Sequence, residues 1–167
     1  MRQRRFTMNK TMKILGVLGL IAGLSGNAFA GSVIGNALLS PFENVAGSYK
    51  LHVPDTWKKI QAGSKLSVIE PVTLAATTQP TLVHVSTADD RTIESLQQLE
   101  ARLSTSGTWT EIRVGSLYGF MQVKSAQTSI RLLRAPGSIL SVELTHRSAQ
   151  DREELLARVI QTLHSTK

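Results

Sequence analysis

The sequence predicts an α+β protein: a twisted, mainly antiparallel β-sheet with amphipathic helices packed on it. Three observations carry this. Several short segments alternate apolar and polar residues, the period of a half-buried strand; in the last of them Leu140, Val142 and Leu144 oppose Ser141, Glu143 and Thr145. Two other stretches repeat apolar residues every three to four positions, Ile93, Leu96, Leu99 and Leu103 in one, Leu155, Leu156, Val159, Ile160 and Leu163 in the other. The order is strands, a helix, a run of strands joined by short turns, and a closing helix.

The chain opens on a segment of another kind. Arg2, Arg4, Arg5, Lys10 and Lys13 precede the uncharged run Ile14 to Leu24, and Ala28 and Ala30 then have the small-x-small spacing of a cleavage site. A basic head, a short apolar body and such a site predict a cleavable signal peptide over residues 1–30. A membrane span needs about 20 apolar residues, whereas Ser25, Gly26 and Asn27 interrupt this run. The expected product is a soluble periplasmic or secreted protein without an integral span.

Charge divides at the same place. Five of the 19 Lys and Arg lie in the leader, leaving 14 against 12 Asp and Glu, a net of +2. The pI near 10.1 thus belongs to the leader, and nucleic acid, which calls for a dense basic face, is not an expected partner. The chain has no cysteine, which excludes disulfides, thiolate metal sites, cysteine nucleophiles and a lipid-modified N-terminus. A remainder of about 137 residues is long enough to hold together by its core alone.

Residues 31–47 are punctuated by Gly, Ser and Asn, with Ile34, Leu38 and Phe42 four apart; they are expected to form a loosely packed N-terminal arm. The domain proper spans 48–167. Tyr49, Leu51 and Val53 define its first strand, which Pro54 ends because it has no N–H to donate. Pro54, Asp55, Thr56 and Trp57 then read as a tight connection to the second strand, with Trp57 as an aromatic plug over the core edge. Leu66 to Ile69 and Thr81 to Ser86 are further strands, separated by Pro71 and Pro80. The first helix is expected to be capped by Asp90 or Thr92 and to end before Gly107. Trp109 to Val114, Tyr118 to Lys124, Ser129 to Arg134 and Ile139 to His146 form the run of strands. Ser148 with Asp151 resembles a capping box for the last helix.

Catalytic and metal-binding patterns are missing. His52, His84, His146 and His164 lack the spacing with which one strand or helix grips zinc. A site of His52 and His84 completed by Glu70 or Glu143 is the one metal arrangement to weigh, and neither a metal nor another cofactor is expected. Asp89, Asp90 and Glu94, and later Asp151, Glu153 and Glu154, are assigned to helix N-termini, and His164 to a helix C-terminus. Glu111 and Glu143 remain as a conceivable hydrolase pair. Serine occurs in neither a G-x-S-x-G nor an S-x-x-K setting, and no phosphate-cradling loop is present. The candidate binding residues are therefore those of an interaction patch: Arg113, Arg131 and Arg134 with Tyr118 and Phe120, the last two sharing a face with Gln122 and Lys124.

The pattern Y-x-L-x-V-P-x-x-W at Tyr49, Val53, Pro54 and Trp57, followed by the amphipathic stretches Ile93–Leu103 and Leu155–Leu163, resembles the PsbP-like superfamily. That group includes PsbP, DcrB, a Ran-release factor and effector chaperones of type VI secretion. The resemblance runs from about Gly47 to His164 and implies an α/β/α-like sandwich whose members mostly bind other proteins. Two departures stand out: DcrB-like proteins are often lipid-anchored, and this chain has no cysteine; the chaperones are cytoplasmic, and this chain carries an export signal. The resulting expectation is a non-enzymatic factor that binds an envelope or secreted protein and supports assembly or folding. The alternatives are an immunity-type inhibitor of a toxin or hydrolase and, third, a small hydrolase.

Overall fold

The computed structural model describes residues 33–71 and 80–166; the signal peptide expected over 1–30 lies outside them. The elements in chain order are β1 (Leu39–Asn44), β2 (Tyr49–Pro54), β3 (Lys58–Ala62), β4 (Lys65–Ile69), β5 (Leu82–Asp89), α1 (Leu96–Ser104), β6 (Thr110–Val114), β7 (Leu117–Lys124), β8 (Gln127–Ala135), β9 (Ser138–Thr145), α2 (Ala149–Arg158), a 3-10 turn (Ile160–Thr162) and β10 (His164–Ser165). All strand pairs are antiparallel. Seven strands form one sheet in the order β3-β4-β5-β9-β8-β7-β6, and three form another in the order β1-β2-β10. This is the predicted α+β class, with two sheets where one was expected.

Strand alternation gives the large sheet two faces. Its inner face sets Leu66, Val68, Val83, Val85, Ile130, Leu132, Leu140, Val142 and Leu144 against Tyr49, Leu51 and Val53 of β2 and against Leu155, Val159, Ile160 and Leu163 from α2 and the segment after it. Every one of these side chains is at most 2% exposed, so this is the main core. The outer face carries α1, whose Leu99 packs with Ile93, Phe120 and Ile139, flanked by Leu96, Leu103, Trp109 and Leu133. Gly119 lies opposite Leu132, where β7 runs so close to β8 that a Cβ would strike the Arg131 carbonyl.

Several local expectations are corrected. The loose arm is in part a strand: β1 pairs with β2 along its whole length, and Val33 and Ile34 are buried in the main core. The Pro54–Trp57 connection joins two sheets rather than two paired strands, since β2 and β3 are not neighbours. Trp57 is 5% exposed within the same core.

Helix α1 starts later than expected. Its cap is Ser95, whose hydroxyl accepts from the Gln98 N–H while the Gln98 side chain accepts from the Ser95 N–H, a complete capping box. Asp90 instead accepts from the Thr92 backbone and hydroxyl, which lowers its pKa, and Asp89, Asp90 and Glu94 all precede the helix. At α2 only half the expected box forms: Ser148 accepts from the Asp151 N–H, and the Asp151 carboxylate turns to Arg147 at 3.3 Å. His164 is not helical but stands in β10, opposite Lys50.

Candidate functional site

Among the described residues, the outer face of the large sheet is only partly covered. The register lays its residues out in rows across the strands. One row runs Ser67, His84, Glu143, Ser129, Gln122; the next runs Ser86, Ser141, Arg131, Phe120, Glu111; a third runs Ala88, Ile139, Leu133, Tyr118, Arg113. Helix α1 sits over Phe120, Leu133 and Ile139. Beyond it Ser67, His84, Ser86, Ser129, Ser141 and Glu143 form a polar strip of half-buried side chains.

The strip is ordered by its own hydrogen bonds. Ser67 Oγ and His84 Nδ1 are 2.9 Å apart. Glu143 accepts from Ser129 Oγ at 2.5 Å and pairs with Arg131 at 2.5 Å. The Arg131 guanidinium also lies 5.9 Å from the Trp109 ring centroid and donates to its neighbour's carbonyl, that of Ile130. Where the strip meets α1, a cleft of about 300 Å³ opens between Ala88, Ile139 and Leu99 on one side and Arg102, Arg131 and Ser141 at its rim. Carboxylate, imidazole, guanidinium and four hydroxyls on one firm surface make a recognition surface able to both donate and accept hydrogen bonds.

The structure separates the candidate patch. Arg131 belongs to the strip. Arg113 and Tyr118 stack at 5.2 Å at the far end of the sheet, where Arg113 Nε donates to the Gly115 carbonyl. Phe120 is 6% exposed beneath α1 and is a core residue, because an apolar helix face has to be met by apolar sheet residues. Arg134 sits at a β-bulge in β8 and donates to Gly47 O at 2.7 Å and Ser138 Oγ at 2.7 Å, tying the sheets together away from the strip.

The other candidate groups are dispersed too. His52 is exposed on the small sheet, His84 lies on the large one, and Glu70 is held by the Thr81 N–H and Arg147. Among the described residues no group of three His, Asp or Glu is placed to hold a metal. Glu111 and Glu143 share the outer face but stand three strand spacings apart, about 14 Å, with Arg131 on an intervening strand. Glycosidase carboxyls work at about 5–9.5 Å, so the hydrolase pair has no common site.

His146 is fully buried, its Nε2 3.0 Å from Thr128 Oγ1. Burial, and next the charge of Arg152, pull its pKa below 6.5. The sequence singled out Arg131 and Glu143 but not Ser67, Ser86, Ser129 or Ser141. Alternation assigns each to a face within its own strand, yet only the pairing of β5 with β9, across α1 and three intervening strands, brings them side by side.

No protein-family profile and no curated protein matches the sequence. Solved structures do. PsbP (CyanoP) from Synechocystis aligns with a TM-score of 0.51 at 12% identity, over 90% of this chain and 99% of that one. A Bacteroides thetaiotaomicron protein aligns with a TM-score of 0.50 at 16% identity, over 76% of this chain but only 48% of its own, so this chain spans about half of it. The Ran-binding protein Mog1p of Saccharomyces cerevisiae aligns at 0.46 and 8% identity, over 78% and 97%. Among the described residues no helix is long and apolar enough to cross a membrane. At such identities the likeness is one of architecture alone, and the architecture this chain adopts is the PsbP-like fold.

Proposed function

We propose that this protein is a non-enzymatic, exported accessory factor whose outer sheet face binds a protein of the cell envelope. The observation that carries the reading is the strip, left uncovered by the described residues, in which Arg131, Glu143, Ser129, Ser67 and His84 are fixed on a sheet instead of on loops. A rigid polar surface beside an aromatic and an apolar cleft suits recognition, since little ordering entropy remains to be lost on binding. Export rests on the leader over residues 1–30. The PsbP-like fold is compatible with a binding role without specifying the partner.

The test is site-specific photocrosslinking in intact cells, with the reactive residue at Ser86 or Ser141 and, as control, at Lys59 on β3. The expected result is one discrete adduct from the strip positions and none from the control. Equal labelling from all three positions, or cytoplasmic retention of the chain, overturns the reading.

A further inference from the structure

Among the described residues, the two sheets leave four strands with one unpaired side: β3 and β6 in the large sheet, β1 and β10 in the small one. Open edges invite pairing with another chain, and proteins blunt them with lysine, proline or brevity. Three of the four are blunted in this way. β1 carries Pro41, β3 carries Lys58 and Lys59, and β10 is two residues long. β6, Thr-Glu-Ile-Arg-Val, has neither lysine nor proline, and its two charges, Glu111 and Arg113, are of opposite sign.

The hairpin fixes which backbone groups of β6 face outward. Gly115 and Ser116 form a two-residue turn closed by the pair Val114 and Leu117, with Gly115 at φ +58 as its first central residue. The closing pair exchanges hydrogen bonds, and bonding alternates along the ladder. Val114, Ile112 and Thr110 therefore bond to β7, and the N–H and C=O of Glu111 and Arg113 point away from it. Among the described residues β6 pairs with β7 alone.

We infer that β6 pairs antiparallel with β6 of a second copy of this chain, about a two-fold axis at Ile112. Outward groups have to meet outward groups, which leaves three registers near the strand centre. Two of them place Glu111 opposite Glu111 or Arg113 opposite Arg113. The third places each Glu111 opposite Arg113 of the other copy, Ile112 opposite Ile112 and Thr110 opposite Val114, and only this register matches charge.

Arg113 keeps its terminal guanidinium nitrogens without a hydrogen-bond partner among the described residues. Its guanidinium lies over Tyr118, and only its Nε is engaged, with Gly115 O; Glu111 is exposed on the same outer face. The interface is isologous and closes on itself, joining two seven-stranded sheets into one continuous sheet. A five-residue edge buries little area, so the dimer is weak and concentration-dependent. The Ser67–Ser141 strip stays open in both copies, and the inference is independent of what binds there.

Sedimentation velocity on the protein purified in the form that cells accumulate, up to about 1 mM, tests this. Each single charge reversal, Glu111→Arg or Arg113→Glu, turns both cross-strand pairs into like charges and is expected to shift the dimerisation midpoint at least about tenfold upward. The double variant restores the pairing. An equimolar mixture of the two single variants dimerises like wild type, because each supplies the charge the other lacks. Both positions are exposed, and circular dichroism checks that the fold is kept. A wild-type chain that stays monomeric throughout, single variants that dimerise as wild type does, or a mixture that fails to recover dimerisation each overturn the inference.

Discussion

The Asn44 side-chain amide donates to the Tyr49 hydroxyl at 3.1 Å, and neither side chain is exposed. The pair links two turns and a strand of the large sheet. Asn44 Oδ1 accepts from the Gly47 N–H at 2.7 Å within the β1–β2 turn, and its Nδ2 donates to Gly63 O at 3.0 Å in the β3–β4 turn. The Tyr49 hydroxyl in turn reaches Ser64 O at 3.2 Å and Val85 O at 3.4 Å. Asn44 and Tyr49 thus bind the small sheet to the large one.

Tyr49→Phe is expected to keep the ring packing but to remove the polar anchor, at a cost of about 1–2 kcal/mol. Burial raises the Tyr49 pKa from 10.0 to about 12. The folded state thus favours the neutral phenol, a contribution present below pH 10 and lost as pH rises from there through about 12. Urea unfolding of both proteins checks this. Wild type should lose stability above pH 10 more steeply than the variant; parallel curves would show that the phenol does not titrate as described.

A second prediction concerns acid. His146 lies between the end of β9 and the Ser148 cap, within the influence of Arg152 and Asp151, and is followed by Arg147, which pairs with Asp151 and Glu70. Its depressed pKa means that the unfolded chain takes up a proton first as pH falls through 6.5. Its contribution is complete above 6.5 and is lost progressively below it, through the folded-state pKa. Its Nδ1 is buried without a hydrogen-bond partner within bonding distance among the described residues, and the Ser148 backbone and the Asp151 charge, which favour the protonated ring, offset burial only in part. Urea midpoints at about pH 7.5 and 5.5 should fall for wild type and change less for His146→Gln. Equal slopes would assign the acid sensitivity to other groups.

How much could be read from the residues differs by level. Helix faces and the meander strands were legible because local periodicity encodes them: Leu99, Leu155, Leu140 and Val142 are buried as the spacing demands. β1 and β3 were not. In β1, Pro41 and a pattern without clean alternation hide a strand that exists because β2 pairs with it. Strand β3 is exposed at every residue, so no apolar alternation betrays it. The site was half legible. Arg131, Tyr118 and Arg113 are conspicuous in composition, but whether Phe120 faces solvent or a helix depends on where α1 lands. That placement is a tertiary fact, as is the meeting of His84 with Glu143.

The most informative prediction separates stability from recognition at Arg131. Its ion pair with Glu143 is short, 2.5 Å, yet the side chains are 27% and 41% exposed, and pairs this wet contribute only about 0–1 kcal/mol to folding. Stacking on Trp109 adds at most about 1 kcal/mol at such a site. Arg131→Ala should therefore leave the urea midpoint close to wild type, with less than about 2 kcal/mol lost. If the strip is the recognition surface, the same change removes its central cation, frees the Glu143 carboxylate and disturbs the rim of the cleft, so partner crosslinking from Ser141 should fall about tenfold or more. Arg134→Ala makes the opposite control: it strands the Gly47 carbonyl inside the fold, so it should destabilise by about 1–3 kcal/mol and spare crosslinking in the molecules that remain folded. Should Arg131→Ala unfold the protein while crosslinking per folded molecule is unchanged, Arg131 is an architectural residue and the recognition surface lies elsewhere.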